Sequence, residues 1–307
     1  MDAPRPLIPV LVGPTAVGKT AVVVELARYI PMTVISADSR QIYRRLDIGT
    51  AKPSVEQQAV VPHMGIDIVD PGDRYSAGRF AAEAVGWLAA VPGGNQPVVV
   101  GGTGFYIRAL ADGLFREPPM DSARRDRLRQ WARTAAGLGR WAKRLDTRYS
   151  GGGRQRAART IEVALLTGRP LSWWQSRAKL EGVMRPWYVQ LTVPRAVLHA
   201  RIQQRVADML AAGLVAEVEA VLAGGVPADA RGLDGVGYRE VIQCLQGQLS
   251  AGELAEAIVR STRRYAKRQE TWFRHQLGEA PVVTLDATER PDVLAERLFH
   301  LWKGRGG

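Results

Sequence analysis

The chain of 307 residues has one cysteine, Cys244, and only four histidines. A lone thiol cannot close an intramolecular disulfide, so nothing marks a secreted scaffold, and a thiolate metal site would lack its partners. No pair of histidines has metal-ligand spacing. Long apolar runs are missing as well, and residues Met1 to Val12 lead into a glycine loop without a small-residue cleavage site. A soluble, cytoplasmic chain with no membrane partner is expected. Acidic charge is the last shortage: 30 Asp and Glu face 42 Lys and Arg, for a formal charge of +12.

With 46% hydrophobic and 23% charged residues the composition is globular, and the length suits one large domain or two modest ones. The excess charge is concentrated. Residues 121–160 hold twelve basic and three acidic side chains, a local balance of +9 that leaves +3 for the rest. An arginine-rich field of this kind suits a phosphate backbone, because guanidinium forks grip phosphate oxygens and release condensed counterions. A solvated helix face would give the same count.

Along the first hundred residues, strand-like and helix-like stretches alternate. Leu7 to Val12, Met32 to Ser36 and Pro97 to Val100 read as strands; Lys19 to Tyr29 and Phe80 to Ala89 read as helices. The alternation predicts an α/β fold with a parallel sheet flanked by helices and ligands bound at the carboxyl ends of the strands. After Pro118-Pro119 the pattern becomes arginine-rich helix with Trp131 and Trp141, interrupted by a Gly151-Gly152-Gly153 hinge, until Trp187 to Val193 reads as a strand again. The expected division is a core of residues 1–120 and 187–307 carrying an all-helical insertion at 121–186. Amphipathic helices are expected from Arg195 to Gly213 and from about Ala251 to His275, then a strand at Val282 to Leu285 and a closing helix from Val293 to Trp302.

Gly13-Pro14-Thr15-Ala16-Val17-Gly18-Lys19-Thr20 fits the pattern G-x-x-x-x-G-K-[ST] between a strand and a helix. The glycines let successive N–H groups face phosphate oxygens, Lys19 adds a compact positive charge, and the Thr20 hydroxyl can hold Mg²⁺. The motif states what is held, not what is done with it. A motor ATPase would end a neighbouring strand in a carboxylate, whereas Val98-Val99-Val100 runs into Gly101-Gly102-Thr103-Gly104. The strand ending Ser36-Ala37-Asp38-Ser39 does carry one: Asp38 can act as a general base, stand behind a magnesium ion, or merely cap a turn. The segment Asp47 to Pro53 reads as an ordered loop over the site.

Taken in order, the phosphate loop, Asp38-Ser39-Arg40-Gln41-Ile42-Tyr43-Arg44, Leu46 to Pro53, Val100 to Tyr106, Gln155-Arg156-Ala157-Ala158-Arg159 with Glu162, Gly235 to Glu240, and Tyr265 to Gln269 with Thr271-Trp272 resemble the tRNA dimethylallyltransferases. The resemblance spans about Val10 to Phe273. It implies a P-loop NTPase-like core with an inserted tRNA-binding domain. It further implies transfer of a dimethylallyl group from dimethylallyl diphosphate to N6 of the adenosine 3′ of the anticodon, position 37, in tRNAs reading codons that start with U.

On that resemblance the loop Gly13 to Thr20 grips a prenyl diphosphate, with Mg²⁺ as cofactor, and Arg205 matches a position that contacts diphosphate. Lys19 and Thr20 then neutralise the leaving diphosphate, and Asp38 is the base for N6. Ser39, Arg40 and Gln41 would line the extruded base and Thr103 would hold the target nucleotide. Arg125, Gln155, Arg156, Ala157, Ala158 and Arg159, together with Gly237, Tyr238 and Arg239, match tRNA contacts, so the anticodon stem-loop is the expected macromolecular partner of a monomeric enzyme. In this chain the link before Gln155 is short and glycine-rich, where relatives carry a longer polar segment. Two other classes share parts of the pattern: a P-loop kinase or an isopentenyltransferase acting on free adenine nucleotides, and a non-catalytic RNA-binding module. Neither needs both the phosphate loop and the +9 segment.

Overall fold

The computed structural model describes residues 5–115, 118–177, 180–278 and 280–304. In chain order the elements are β1 (Leu7–Val12), α1 (Lys19–Leu26), β2 (Met32–Ser36), α2 (Val55–Val60), β3 (His63–Met64), α3 (Ala77–Ala89), β4 (Gln96–Gly101) and α4 (Gly104–Asp112). Four helices follow: α5 (Ser122–Thr134), α6 (Leu138–Leu145), α7 (Gly153–Thr167) and α8 (Leu171–Arg177). The chain closes with β5 (Arg185–Thr192), α9 (Arg195–Ala211), α10 (Leu214–Ala223), α11 (Tyr238–Leu245), α12 (Ala251–Gln276), β6 (Val282–Asp286) and α13 (Pro291–Lys303). Two compact units result, one of Met1–Ala111 with Val183–Gly307 and one of Asp112–Gly182, so the division falls at 112 and 182 rather than at 121 and 186.

The first unit is built on one sheet of six parallel strands in the order β3-β2-β4-β1-β5-β6. Strand β2 is buried along its whole length, as a strand covered on both faces must be, and its sequence Met-Thr-Val-Ile-Ser supplies the β-branched side chains that pack there. One face is covered by α1 and α13, whose Val22, Val23, Leu294 and Leu298 join Leu11, Val98 and Val189 of the sheet. Trp187 of β5 stacks on Trp302 of α13 with ring centroids 5.3 Å apart. Elsewhere in this unit Phe80 of α3 stacks on Tyr106 of α4 at 4.4 Å.

Register decides where chemistry can occur. Val12 pairs with Gly101, and Ser36 with Val100, so β1, β2 and β4 end at one level. The chain then leaves the sheet through Gly13, Ala37 and Gly102 side by side. The Ala37 amide donates to Val100 O at 2.8 Å and the Thr103 amide to Ala37 O at 3.1 Å, which extends the ladder past the strands and fixes the loops to one another.

Within the second unit, Asp121 caps α5 by accepting from the Arg124 amide at 2.7 Å. Ala132, Leu138, Ala142, Ala157 and Ile161 form a small core of their own. Gly151, Gly152 and Gly153 all hold positive φ, and the third opens α7, so the glycine triplet is the lead-in to a helix. Trp302→Ala should cost about 3–5 kcal/mol by opening a cavity against Trp187. Urea unfolding would register this as a lower midpoint at unchanged slope, and a loss under about 1 kcal/mol would show that the stack is dispensable.

Candidate active site

The phosphate loop joins β1 to α1 with Gly18 in the left-handed region (φ 109°) and Ala16 there as well (φ 65°). A non-glycine residue at positive φ stores strain, and the loop tolerates it because both ends are anchored. The Lys19 ammonium donates to the carbonyls of Gly13 and Pro14, at 3.0 Å each. Its pKa falls from 10.5 to about 8: burial is the main cause, the Asp38 charge opposes it, and Arg205 adds a smaller lowering. Arg205 projects from α9, with Nη1 3.4 Å from Thr15 Oγ1. Burial lowers its pKa too, while Asp208 and Asp38 raise it. Two cations and one carboxylate from three elements thus converge on the loop. That field suits an incoming polyanion.

On the neighbouring loop Asp38 Oδ1 accepts from the Arg40 amide at 2.8 Å, a turn that aims the carboxylate. The Ser39 amide donates to Thr103 Oγ1 at 3.0 Å, and the Ser39 and Thr103 hydroxyls pair at 3.2 Å. Tyr265 of α12 also contacts the Thr103 hydroxyl; burial raises its pKa first and the Asp38 charge adds to this, so it stays protonated. Gln41 is fully engaged: Oε1 pairs with Ser36 Oγ at 2.9 Å, and Nε2 donates to the carbonyls of Thr50 and Ala51 at 3.4 and 3.1 Å. Arg40 donates to Arg231 O at 2.9 Å.

One residue ties both loops together. Gln269, buried on α12, accepts from the Thr15 amide at 2.8 Å and donates to Gly102 O at 3.0 Å. A Cβ on Gly102 would lie 2.1 Å from Gln269 Nε2, so only glycine admits the contact. Gln269 is quoted above merely as part of a motif; its role had no local signal, because its partners lie 254 and 167 residues away.

The loop Asp47 to Pro53 is held from two sides. Glu217 of α10 accepts the amides of Asp47 and Ile48 at 2.8 Å and of Gly49 at 3.2 Å, along with the Tyr238 hydroxyl at 2.7 Å. Lys52 donates to Tyr43 O and to Asp47, at 2.6 Å each, and pairs with Asp67. The loop lines a cavity of about 590 Å³ with Ile48, Val55 and Met209 on its apolar side and Arg205 and Asp208 on its charged side. Arg205 and Asp208 also border a second cavity of about 340 Å³ under Gly18, with Arg201 and Glu289.

The residues matched to tRNA contacts differ in how far their side chains reach solvent. Tyr238 is 1% exposed and spends its hydroxyl on Glu217, so its side chain belongs to the scaffold. Gly237 is likewise covered, its amide donating to Glu240 at 2.8 Å; of this trio only Arg239 reaches solvent, paired to Glu240. In the helical unit Ala157 is 2% exposed and packs in the core, and Ala158 packs against the same cluster. Gln155 and Arg156 are exposed, whereas Arg125 and Arg159 both bind the buried Glu162.

The geometry defines an α/β protein with a P-loop-type turn at the end of a parallel sheet, the Asp38 charge acting on its Lys19, and a second, arginine-rich helical unit. The IPP transferase family model matches residues 41–276, and the isopentenyl transferase model matches residues 7–62. The chain belongs to the IPP transferase family. It is 45% identical to tRNA dimethylallyltransferase 1 of Syntrophotalea carbinolica, with 88% of each chain covered. The crystal structure of the full-length tRNA isopentenylpyrophosphate transferase of Bacillus halodurans is 32% identical, with a TM-score of 0.72 and 98% and 96% of the two chains covered. A eukaryotic dimethylallyltransferase captured acting on tRNA has the same fold, at 23% identity and a TM-score of 0.75 over 95% of this chain and 77% of that one.

The Lys19 environment predicts pH-dependent anion binding at this loop: below about 8 the ammonium is charged and would attract phosphate, and above it the charge is lost. For an alkyl diphosphate that is already fully ionised, the dissociation constant should rise about fivefold between pH 8 and 9. Titration calorimetry across pH 7 to 9.5 should show this rise, and a flat profile would remove Lys19 from the binding site.

Proposed function

We propose that the chain transfers the dimethylallyl group of dimethylallyl diphosphate to N6 of the adenosine 3′ of the anticodon, position 37, of tRNAs that read codons starting with U. The observation that carries the reading is the convergence of Lys19, Arg205 and Asp38 at the end of one sheet, in a chain that also holds a +9 helical segment. The amides of the phosphate loop, Lys19 and Arg205 receive the diphosphate. As the allylic C–O bond breaks, negative charge collects on the departing diphosphate, and these cations stabilise it. The amine nitrogen forms the new N–C bond, and its proton passes to the Asp38 carboxylate. An exocyclic purine amine is a weak nucleophile, so a base held in place by the Arg40 amide matters.

Hard oxygen donors at the head of α1 suit a magnesium ion. Among the described residues there is no cluster of three or more metal-ligating side chains. The Thr20 hydroxyl, in the first turn of α1, would hold such an ion. Bound there, Mg²⁺ supplies charge neutralisation for the leaving group. The target base would reach the carboxylate by leaving its stack and would meet Ser39, Arg40 and Thr103, of which Ser39 and Thr103 are hydrogen-bonded to each other. Arg125, Arg156 and Arg159 would hold the anticodon stem-loop. Among the described residues no helix is long and apolar enough to cross a membrane, and the enzyme would work as a cytoplasmic monomer.

The test is incubation of purified protein with Mg²⁺, dimethylallyl diphosphate and unmodified tRNA, followed by mass spectrometry of the nucleosides. Prenylated adenosine 3′ of the anticodon is expected; ATP hydrolysis without prenyl transfer would overturn the reading. Asp38→Asn, which retains an acceptor for the Arg40 amide, should lower turnover by roughly 10²–10⁴-fold with tRNA affinity within a few-fold. Removing the charges of Arg125 and Arg156 should weaken tRNA binding and reduce its logarithmic salt slope by about two.

A further inference from the structure

Glu162 sits on α7 with its side chain 6% exposed, and three guanidinium groups converge on it. Arg125 and Arg129 reach it from α5, with Nε at 3.0 and 2.8 Å, and Arg159 pairs with it from one turn earlier on α7. The arginine side chains remain 26, 36 and 28% exposed, so one carboxylate anchors three forks that still reach the surface. Joining α5 to α7 does not require this, since Ala132, Ala157 and Ile161 already make an apolar contact between them. A buried carboxylate is costly unless fully partnered, and here it is partnered three times over.

We infer that Glu162 is a positioning residue for RNA binding: it holds Arg125, Arg129 and Arg159 as a preformed comb for backbone phosphates. The inference rests on reading the helical unit as the RNA-binding element. Two effects of Glu162 oppose each other. It subtracts one positive charge from the cluster, which in screened solvent weakens attraction for a phosphate by about twofold. It also fixes three long side chains before binding, and each side chain that must instead be ordered on binding weakens affinity by roughly two- to tenfold. Order outweighs charge.

The two effects differ in sign when Glu162→Gln is made, because the substitution conserves shape while raising the net charge by one. With full-length protein, a fluorescent anticodon stem-loop RNA and fixed salt, E162Q should raise the dissociation constant at least tenfold. Equal or tighter binding overturns the inference. In an R125A/R159A background the same change should alter affinity by less than threefold; an undiminished effect there would reveal a purely structural role and also overturn it. If E162Q loses amide-exchange protection across Gly153–Thr167, Glu162→Asp takes its place, because it keeps the charge but shortens the reach. E162D should bind five- to tenfold more weakly, and wild-type affinity overturns the inference. Wild-type protein that binds no RNA would instead remove the reading on which the inference rests.

Discussion

A single carboxamide makes two loops into one site. Gln269 spans from the Thr15 amide to the Gly102 carbonyl, and both of its polar ends are satisfied inside the protein. Leaving either end unpaired in that buried position would cost the desolvation of a polar group, so the loop Gly13 to Thr20 and the turn that bears Thr103 cannot drift apart cheaply. The same helix adds Tyr265 against Thr103 and lays Trp272 over Gly104, where a Cβ would come within 2.2 Å of the indole. Helix α12 is thus the back wall on which both loops are hung.

Charge is divided according to task. In the core, Lys19 and Arg205 are few, covered and balanced by Asp38 and Asp208, so their field acts over a short range at one place. In the helical unit the charges are many and largely solvated, suited to a long polyanion that is read as a surface. Even there the excess is partly tied down, with the exposed Arg154 donating to the carbonyls of Ala132 and Ala135 at 2.9 and 2.8 Å.

What could be read from the chain follows how local each signal is. The phosphate loop is legible because its glycines, lysine and threonine act within eight residues, and β1 and β2 because β-branched residues fill parallel strands on both faces. Helix α2 escaped notice: its capping box at Ser54 and Gln57 is a local sign, but its six residues bury nothing that would produce an apolar stripe. The roles of Gln269, Glu217 and Glu162 depend on partners far away in sequence, so nothing beside them announces what they hold. Tyr238 shows the converse: the side chain of an aromatic in a motif matched to RNA contacts serves, in three dimensions, as a wall beneath Gly49, where a Cβ would lie 2.5 Å from its ring.

The boundary of the helical unit is narrow. On one side Val183 donates to Leu110 O at 2.7 Å, and on the other Leu180 donates to Leu114 O at 2.6 Å. Outgoing and returning chains are therefore paired at both positions, before the described stretch 118–177. Insertions and deletions within that stretch do not change the distance the core must bridge. Over evolutionary time, the length of the helical unit can be retuned without disturbing the register that sets Gly13, Ala37 and Gly102 side by side.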